Sequence, residues 1–378
     1  MNIALFTDTY YPEINGVATS VHQLKIGLES AGHNVYVFTT TNPDMQREDK
    51  EYRIKSVPFI FMKDRRFSFP IYYKWLKIVK KLNIDVIHTH TEFSLGILGL
   101  RIAKKLNIKH IHTYHTIYEE YIHYLKLPKN KYTVNFVKNS TKYFCNKAYE
   151  IIAPTEKTKN LLISYDVNTN ITVVPTGIDL TKFENTDMEY IFKLRKKLDI
   201  QEKDVVLVSI GRLSKEKGTD EVILYFSKLL EKHKNIKLII VGDGPHKYEL
   251  KELVNRLKIT DKVKFTGYIC WDKIQNYYCL GDIFVSCSTS ETQGLTYLEA
   301  VASGLYLLVR KDDSLDDTFI NDGIGYQFCS YDEFSYFYEK LLLHIDKKLK
   351  NSVSDKYTQK GYTQSILNIY NKEEQSSD

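Results

Sequence analysis

The chain has 378 residues, 43% of them hydrophobic and 26% charged, with a net charge of +6. That length is about twice a usual single domain and predicts two cores, while five cysteines, an odd number without a CxxC pair, argue against a disulfide framework or a zinc knuckle and fit a reducing cytoplasm. The opening MNIALFTDTYYPE lacks a basic leader, and no stretch approaches the ~20 apolar residues of a spanning helix, so the expectation is a protein neither secreted nor integral. The charge is unevenly spread. Residues 1–150 carry 22 Lys and Arg against 13 Asp and Glu, a surplus of +9, and the remainder carries 31 against 34. A basic first half suits an acidic partner, a lipid surface or a nucleic acid.

In chain order, Asn2 to Phe6 reads as a short strand, Thr7 to Gly16 as a polar loop, Val17 to Ala31 as a helix and Asn34 to Thr39 as the next strand. This βαβ opening, with Gly16 where strand meets helix, predicts a doubly wound parallel sheet. It has no GxGxxG, so dinucleotide binding is not supported. An extended stretch to about Phe61 precedes the basic, aromatic run Lys63 to Leu82, and buried strands follow at Asp85 to His88, His110 to Thr113 and Glu150 to Ala153. A Tyr- and Lys-rich segment, Tyr118 to Lys147, lies between the last two. Val173 to Gly177 closes the first domain, and Ile178 to Asp204 is a linker with a charged helix.

The pattern then restarts. Strands are expected at Val205 to Ile210, Lys237 to Val241, Val263 to Thr266, Ile283 to Cys287 and Tyr306 to Val309, with helices at Thr219 to His233 and Tyr248 to Leu257. The fold class is therefore α/β, two facing Rossmann-like domains with a cleft between them, at residues 1–180 and 190–355. A C-terminal helix within 356–378, with Tyr362, Ile366 and Ile369 on one face, crosses back onto the first domain. Ligands of such sheets sit beyond the carboxyl ends of the strands.

The motifs gather at those ends. In SCSTSETQGLTYLEAVASG, Ser286 to Gly304, a strand feeds a loop into a helix that starts near Gly294, with Leu295, Leu298 and Ala302 on one face and Gly304 as its C-terminal cap. A helix N-terminus supplies backbone donors and a positive dipole end to a phosphate. Glu291 lies in the loop and Glu299 leans back from the helix, so acceptors for hydroxyls ring a donor site for a diphosphate. An ordinary solvated helix glutamate is the alternative for Glu299. In GRLSKEKG, Arg212 and Lys217 follow a strand end on one mobile loop and could clamp a diphosphate as it leaves, or be a solvated basic loop. Gly16 permits close backbone approach, or is a plain turn. Of the histidines at His88, His90, His110, His112 and His115, the first four read as packing residues with backbone partners rather than metal ligands. His115, past its strand end, is placed to face the cleft.

Taken together these residues resemble the retaining glycosyltransferases of family 4 with the GT-B fold. Glu291 and Glu299 match an E-x7-E pattern, Arg212 and Lys217 the Arg/Lys pair, and VGDGP and PTGID also match. More narrowly, FTDTYYPEINGVATSV, HTHTEFSLGILGL, TYHTIYEEYIHYL and SETQGLTYLEA resemble the bacterial diacylglycerol 3-glucosyltransferases. The resemblance implies a UDP-sugar donor, UDP-glucose first, a diacylglycerol acceptor, no cofactor and no metal. It also implies that Glu299 binds the ribose, Glu291 the sugar hydroxyls, and Arg212 and Lys217 the diphosphate. Gly294 and Leu295 would add backbone donors and His115 would contact the sugar; Tyr268 is placed as a base reader. Relatives differ in the length of the GRLSKEKG loop, which puts the reach of Lys217 in question. Galactose or GDP-mannose donors, polysaccharide or polyprenol acceptors, and a non-catalytic membrane scaffold that binds sugar nucleotides are the competing readings.

Membrane contact is expected from Lys74, Trp75, Lys77, Lys80 and Lys81 on a basic helix with aromatic anchors, and from Arg65 and Arg66 before it, which together suit an anionic bilayer. The alternative is a solvated surface helix. Tyr118 to Lys147 could line the lipid entrance. No nucleic-acid motif accompanies the basic residues, and the protein is expected as a peripheral one at the cytoplasmic face of the membrane.

Overall fold

The computed structural model describes residues 1–13, 15–42, 49–59, 62–119, 128, 130–184, 186–315, 323–345, 349 and 353–372. They divide into two units, residues 1–177 with 355–378, and residues 178–354.

The first unit holds a seven-stranded parallel sheet. Its strands are β1 (Asn2–Phe6), β2 (Asn34–Thr40), β3 (Glu51–Ile54), β6 (Val86–Thr89), β7 (Lys109–Thr113), β8 (Glu150–Ala153) and β9 (Ile171–Val173), ordered β3-β2-β1-β6-β7-β8-β9. Between β3 and β6, β4 (Ser56–Phe59) and β5 (Met62–Ser68) form a separate antiparallel pair. The helices are α1 (Gly16–Ser30), α2 (Tyr72–Lys81), α3 (Ser94–Leu106), α4 (Lys131–Cys145) and α5 (Glu156–Ser164). Alternation along β1 explains how the sheet is covered on both sides. Ile3 and Leu5 pack with Val21, Leu24 and Leu28 of α1, whereas Ala4 and Phe6 pack with Trp75 and Val79 of α2 and Leu95, Leu98 and Ile102 of α3.

The second unit holds a six-stranded parallel sheet of β10 (Val205–Ile210), β11 (Ile236–Val241), β12 (Val263–Gly267), β13 (Ile283–Ser286), β14 (Tyr306–Arg310) and β15 (Gly325–Phe328), ordered β12-β11-β10-β13-β14-β15. Its helices are α6 (Thr181–Glu184), α7 (Met188–Lys197), α8 (Thr219–Lys232), α9 (Lys247–Arg256), α10 (Ile274–Tyr278), α11 (Leu295–Ala302) and α12 (Tyr331–Leu342).

The last helix, α13 (Gln359–Tyr370), belongs to the first unit. Tyr362, Ile366 and Ile369 are buried beside α1. Polar contacts fix its register, with Gln359 Nε2 donating to Gln23 Oε1 at 2.6 Å and the Tyr362 hydroxyl 3.2 Å from Ser20 Oγ. The C-terminal segment therefore completes a face of the first sheet that α1 alone leaves partly open.

Two expectations about Lys63 to Leu82 need correction. Residues Met62–Ser68 form strand β5, not a lead-in to a basic helix, and Arg66 is committed to the β4–β5 pair through Ser56, donating to its Oγ at 2.9 Å and its carbonyl at 2.8 Å. Arg65 lies on β5 with its side chain outside the described residues. Trp75 is not an anchor for lipid either. It is 7% exposed and packs edge-on against Phe38 and Tyr52, because with Val79 it forms the core-facing side of α2. Lys74, Lys77, Lys80 and Lys81 do face outward. No helix among the described residues is long and apolar enough to cross a membrane.

Candidate active site

In each sheet the strand order reverses once, between β1 and β6 and between β10 and β13. Such a switch point leaves a crevice outside the carboxyl ends of the two central strands, the usual ligand position in an open α/β sheet. In the second unit the loop after β10 is GRLSKEKG and the loop after β13 is CSTSETQG, so the two motifs meet because β10 and β13 pair directly, Leu207 beside Ile283 and Val208 beside Phe284.

The loop after β10 is pinned at its middle. Leu213 donates its N–H to the Asp243 carbonyl at 3.0 Å and accepts from the His246 N–H at 2.9 Å, which ties GRLSKEKG to the VGDGP turn after β11. A Cβ on Gly242 would stand 1.9 Å from the Gly211 carbonyl oxygen, so this approach of two main chains requires the glycine. Residues Lys215–Lys217 make one 3₁₀ turn, which aims Lys217 at the neighbouring loop. Its ammonium donates to Glu291 Oε1 at 2.6 Å. Lys217 therefore reaches the carboxylate across the switch point, and Arg212 lies half-buried on the same loop.

Gly294 ends the second loop at φ +73°, a left-handed conformation, with the Tyr297 ring too close to admit a side chain. The helix that follows, α11, has no side-chain cap and no acidic residue in its first turn. Gly294 and Leu295 thus sit at a helix N-terminus whose first turn carries no carboxylate. Glu299 is not a solvated helix residue. It is 7% exposed and accepts a hydrogen bond from the Tyr278 hydroxyl at 2.6 Å. Burial raises its pKa, and the Tyr278 bond and the charge of Lys182 oppose that rise.

Lys182 and Tyr278 were not reached from the sequence. Lys182 lies on α6 with its ammonium 3.1 Å from the centre of the Trp271 ring and donates to the Trp271 carbonyl. Burial lowers its pKa to about 8, against the charges of Glu299, Asp272 and Asp179. The only local signal was its position three residues after the PTGID motif. Tyr268 is 55% exposed just beyond β12.

In the first unit β6, β7 and the residues just past them carry the histidines. His115 is two residues past β7, half-buried, with Nε2 3.1 Å from Nδ1 of His90. The strand histidines were expected to have backbone partners; His112 has one, its Nδ1 lying 3.0 Å from the Thr89 carbonyl oxygen, and the others bond mainly side chains. His88 bonds the Tyr370 hydroxyl at 2.6 Å and Thr113 Oγ1 at 2.7 Å, His110 bonds Thr89 Oγ1 at 2.9 Å, and His112 bonds Glu92 at 3.1 Å. The reason is geometric. Most strand main-chain groups are used in the parallel ladder, so His88 and His110 find hydroxyls on the adjacent strand, while the second lone pair of the Thr89 carbonyl still serves His112. Desolvation, reinforced by the neighbouring imidazoles, lowers His88 and His90 well below the ordinary histidine range and takes His110 and His115 to about 3. These four are neutral near pH 7, and among the described residues no three His, Cys, Asp or Glu side chains gather as a metal site.

Sequence reasoning also missed Asp8. It is buried after β1 and accepts from the Thr91 hydroxyl at 2.6 Å, from Ser94 and from the Leu95 N–H at 3.1 Å, capping α3 from another element. Gly16 opens α1 behind Asn15, whose side chain accepts from the Ala18 N–H at 3.0 Å. No atom lies within 4 Å of where a Gly16 side chain would begin, so its backbone is open to a ligand.

Comparison with known proteins gives the family and the fold class. The Glycosyltransferase Family 4 model matches residues 14–182 and the Glycosyl transferases group 1 model residues 191–360. The chain is 45% identical over 321 residues to the alpha-monoglucosyldiacylglycerol synthase of Streptococcus pneumoniae, covering 84% of this chain and 73% of that one. It is 33% identical to the enzyme of the same name from Acholeplasma laidlawii, covering 85% and 83%. Among solved structures it is similar to sucrose-phosphate synthase from Thermosynechococcus elongatus, with a TM-score of 0.76 at 18% identity, covering 98% of both chains. The Anabaena protein HepE in complex with UDP and glucose gives 0.75 at 16%, covering 98% of this chain and 99% of that one. Both are GT-B glycosyltransferase neighbours in fold. The chain is a glycosyltransferase, and belongs to the family in which a family 4 domain is followed by a group 1 domain.

Proposed function

We propose that this glycosyltransferase moves glucose from UDP-glucose to the 3-hydroxyl of diacylglycerol, with retention, to give alpha-monoglucosyldiacylglycerol. The observation that carries the reading is the 45% identity, across both family domains, to a synthase of that name. The site chemistry supports it. The acceptor oxygen forms a bond to the anomeric carbon as the bond from that carbon to the diphosphate breaks, and the acceptor proton passes to the leaving phosphate oxygen. Charge then grows on the diphosphate, where Arg212, Lys217 and the N–H groups at Gly294 and Leu295 would receive it. Glu291, already bonded to Lys217, would turn its second oxygen to sugar hydroxyls, and Glu299 would hold the ribose. His115, neutral at physiological pH, would donate or accept a hydrogen bond at the sugar. With cations supplied by side chains, the proposed reaction takes no metal and no cofactor.

The acceptor is a lipid, and the four outward lysines of α2 would hold the chain on anionic headgroups as a peripheral protein. None of the five cysteines is in a disulfide, which suits the proposed cytoplasmic face. The test is to incubate purified protein with labelled UDP-glucose or UDP-galactose and mixed diacylglycerol vesicles, and to identify the glycolipid. Glucosyldiacylglycerol from UDP-glucose is expected. Transfer from UDP-galactose alone, or to an acceptor other than diacylglycerol, would replace the donor or acceptor named here.

A further inference from the structure

Helix α4 has no part in the site described above, yet its surface is unusual. At 100° per residue Tyr132, Phe136 and Tyr143 fall within about 40° of one another around the helix axis. They are 83%, 72% and 67% exposed, so they form one outward aromatic stripe. The buried residues of the helix, Thr141, Phe144 and Cys145, lie roughly on the opposite side. The stripe is therefore not a misassigned core face, because the core face is present and filled.

Charge distinguishes possible occupants. From Lys131 to Lys147 there are four lysines and no acidic residue. Lys138 and Lys142 are tied to Glu119 and Asp166, at 3.9 and 3.3 Å. Lys131 and Lys147 are exposed at the two ends of the stripe, the latter with its ammonium 3.3 Å from the centre of the Tyr143 ring. A row of tyrosine and phenylalanine bounded by lysines suits the boundary between headgroups and acyl chains, where rings with a polar edge settle and ammonium groups reach phosphates. One helix face is too small for a stable protein interface, which needs about 800 Å² from each partner. Two copies of this surface would also set lysine against lysine.

We propose that the Tyr132, Phe136 and Tyr143 stripe of α4 inserts into the headgroup region of an anionic bilayer, a second lipid contact distinct from the lysines of α2. The inference rests on the membrane reading above, and the test separates the two. In Phe136→Trp the new indole should shift to shorter wavelength with vesicles of phosphatidylglycerol and phosphatidylcholine, and brominated acyl chains should quench it beyond what the parent's two tryptophans show. The combined Tyr132→Ser, Phe136→Ser, Tyr143→Ser variant should sediment with those vesicles about tenfold less than the parent, with unchanged lipid-free hydrolysis of UDP-glucose. If the parent sediments but the indole of Phe136→Trp is neither shifted nor quenched, or the triple variant sediments equally, the stripe does not touch lipid. If the triple variant instead loses self-association at unchanged vesicle binding, the stripe joins copies of the chain and the proposal is wrong. A parent that ignores anionic vesicles removes the membrane reading itself, and this inference with it.

Discussion

The two units are built from opposite materials near their central strands. Along β6 and β7 and just past them, buried imidazoles bond hydroxyls of neighbouring segments, with Glu92 beside His112. Beyond β10 and β13, carboxylates meet lysines, Glu291 with Lys217 and Glu299 near Lys182, and each pair spans two different chain segments. Hydroxyl–imidazole bonds between adjacent strands, His88 to Thr113 and His110 to Thr89, hold shape. Paired charges on adjoining loops can exchange a partner for a ligand, as a diphosphate donor requires. The first region is thus organised for rigidity and the second for anion exchange.

Acid should break this comparison most visibly. His88, His90, His110 and His115 have folded pKa values below the unfolded one near 6.5, so the unfolded chain binds more protons below that pH. Their contribution is full above about 6.5 and is lost as pH falls toward about 3. Asp8, raised by burial, acts in the other direction, but as one group against four. In the second unit Glu299 is raised, so lowering the pH favours its folded form. The first unit should unfold at higher pH than the second. The fluorescence of Trp75 and Trp271, one in each unit, should report two separate acid transitions; a single coincident transition would remove the distinction.

Trp75→Ala should cost the first unit about 3–5 kcal/mol in denaturant unfolding, as for other buried aromatics. The folded variant should sediment with anionic vesicles as the parent does, whereas a loss of binding at full folding would return Trp75 to the membrane. Arg212→Ala should lower turnover about 10²–10³-fold, the usual effect of removing one donor to developing negative charge, with the unfolding midpoint unchanged. Near-normal turnover would remove Arg212 from the site. His88→Ala should do the reverse, costing about 1–3 kcal/mol of stability by stranding Thr113 and Tyr370, with turnover per folded molecule close to that of the parent.

Much of the second unit was readable in advance. Val205 to Ile210 coincides with β10, and the strand, loop and helix between Asp282 and Gly304 follow the expected order, because apolar runs bounded by Gly and polar residues carry their own signal. The run Lys63 to Ser68 misled because basic and aromatic residues side by side have no decisive period. For Trp75 the signal was available, since Trp75 and Val79 repeat at i, i+4 as a buried helix face does. Tyr278 beside Glu299, Lys182 over Trp271 and Asp8 at the start of α3 had no local signature, since each joins segments far apart in the chain.

The sequence alone determined the two parallel sheets and the loops that carry Arg212, Lys217, Glu291 and Glu299, because hydrophobic period and glycine placement act over a few residues, and the resemblance of its motifs pointed to the family. Tertiary structure decided which charges are paired, which imidazoles are neutral, and which aromatics face water. Those properties depend on burial and on partners brought together only when the sheets form.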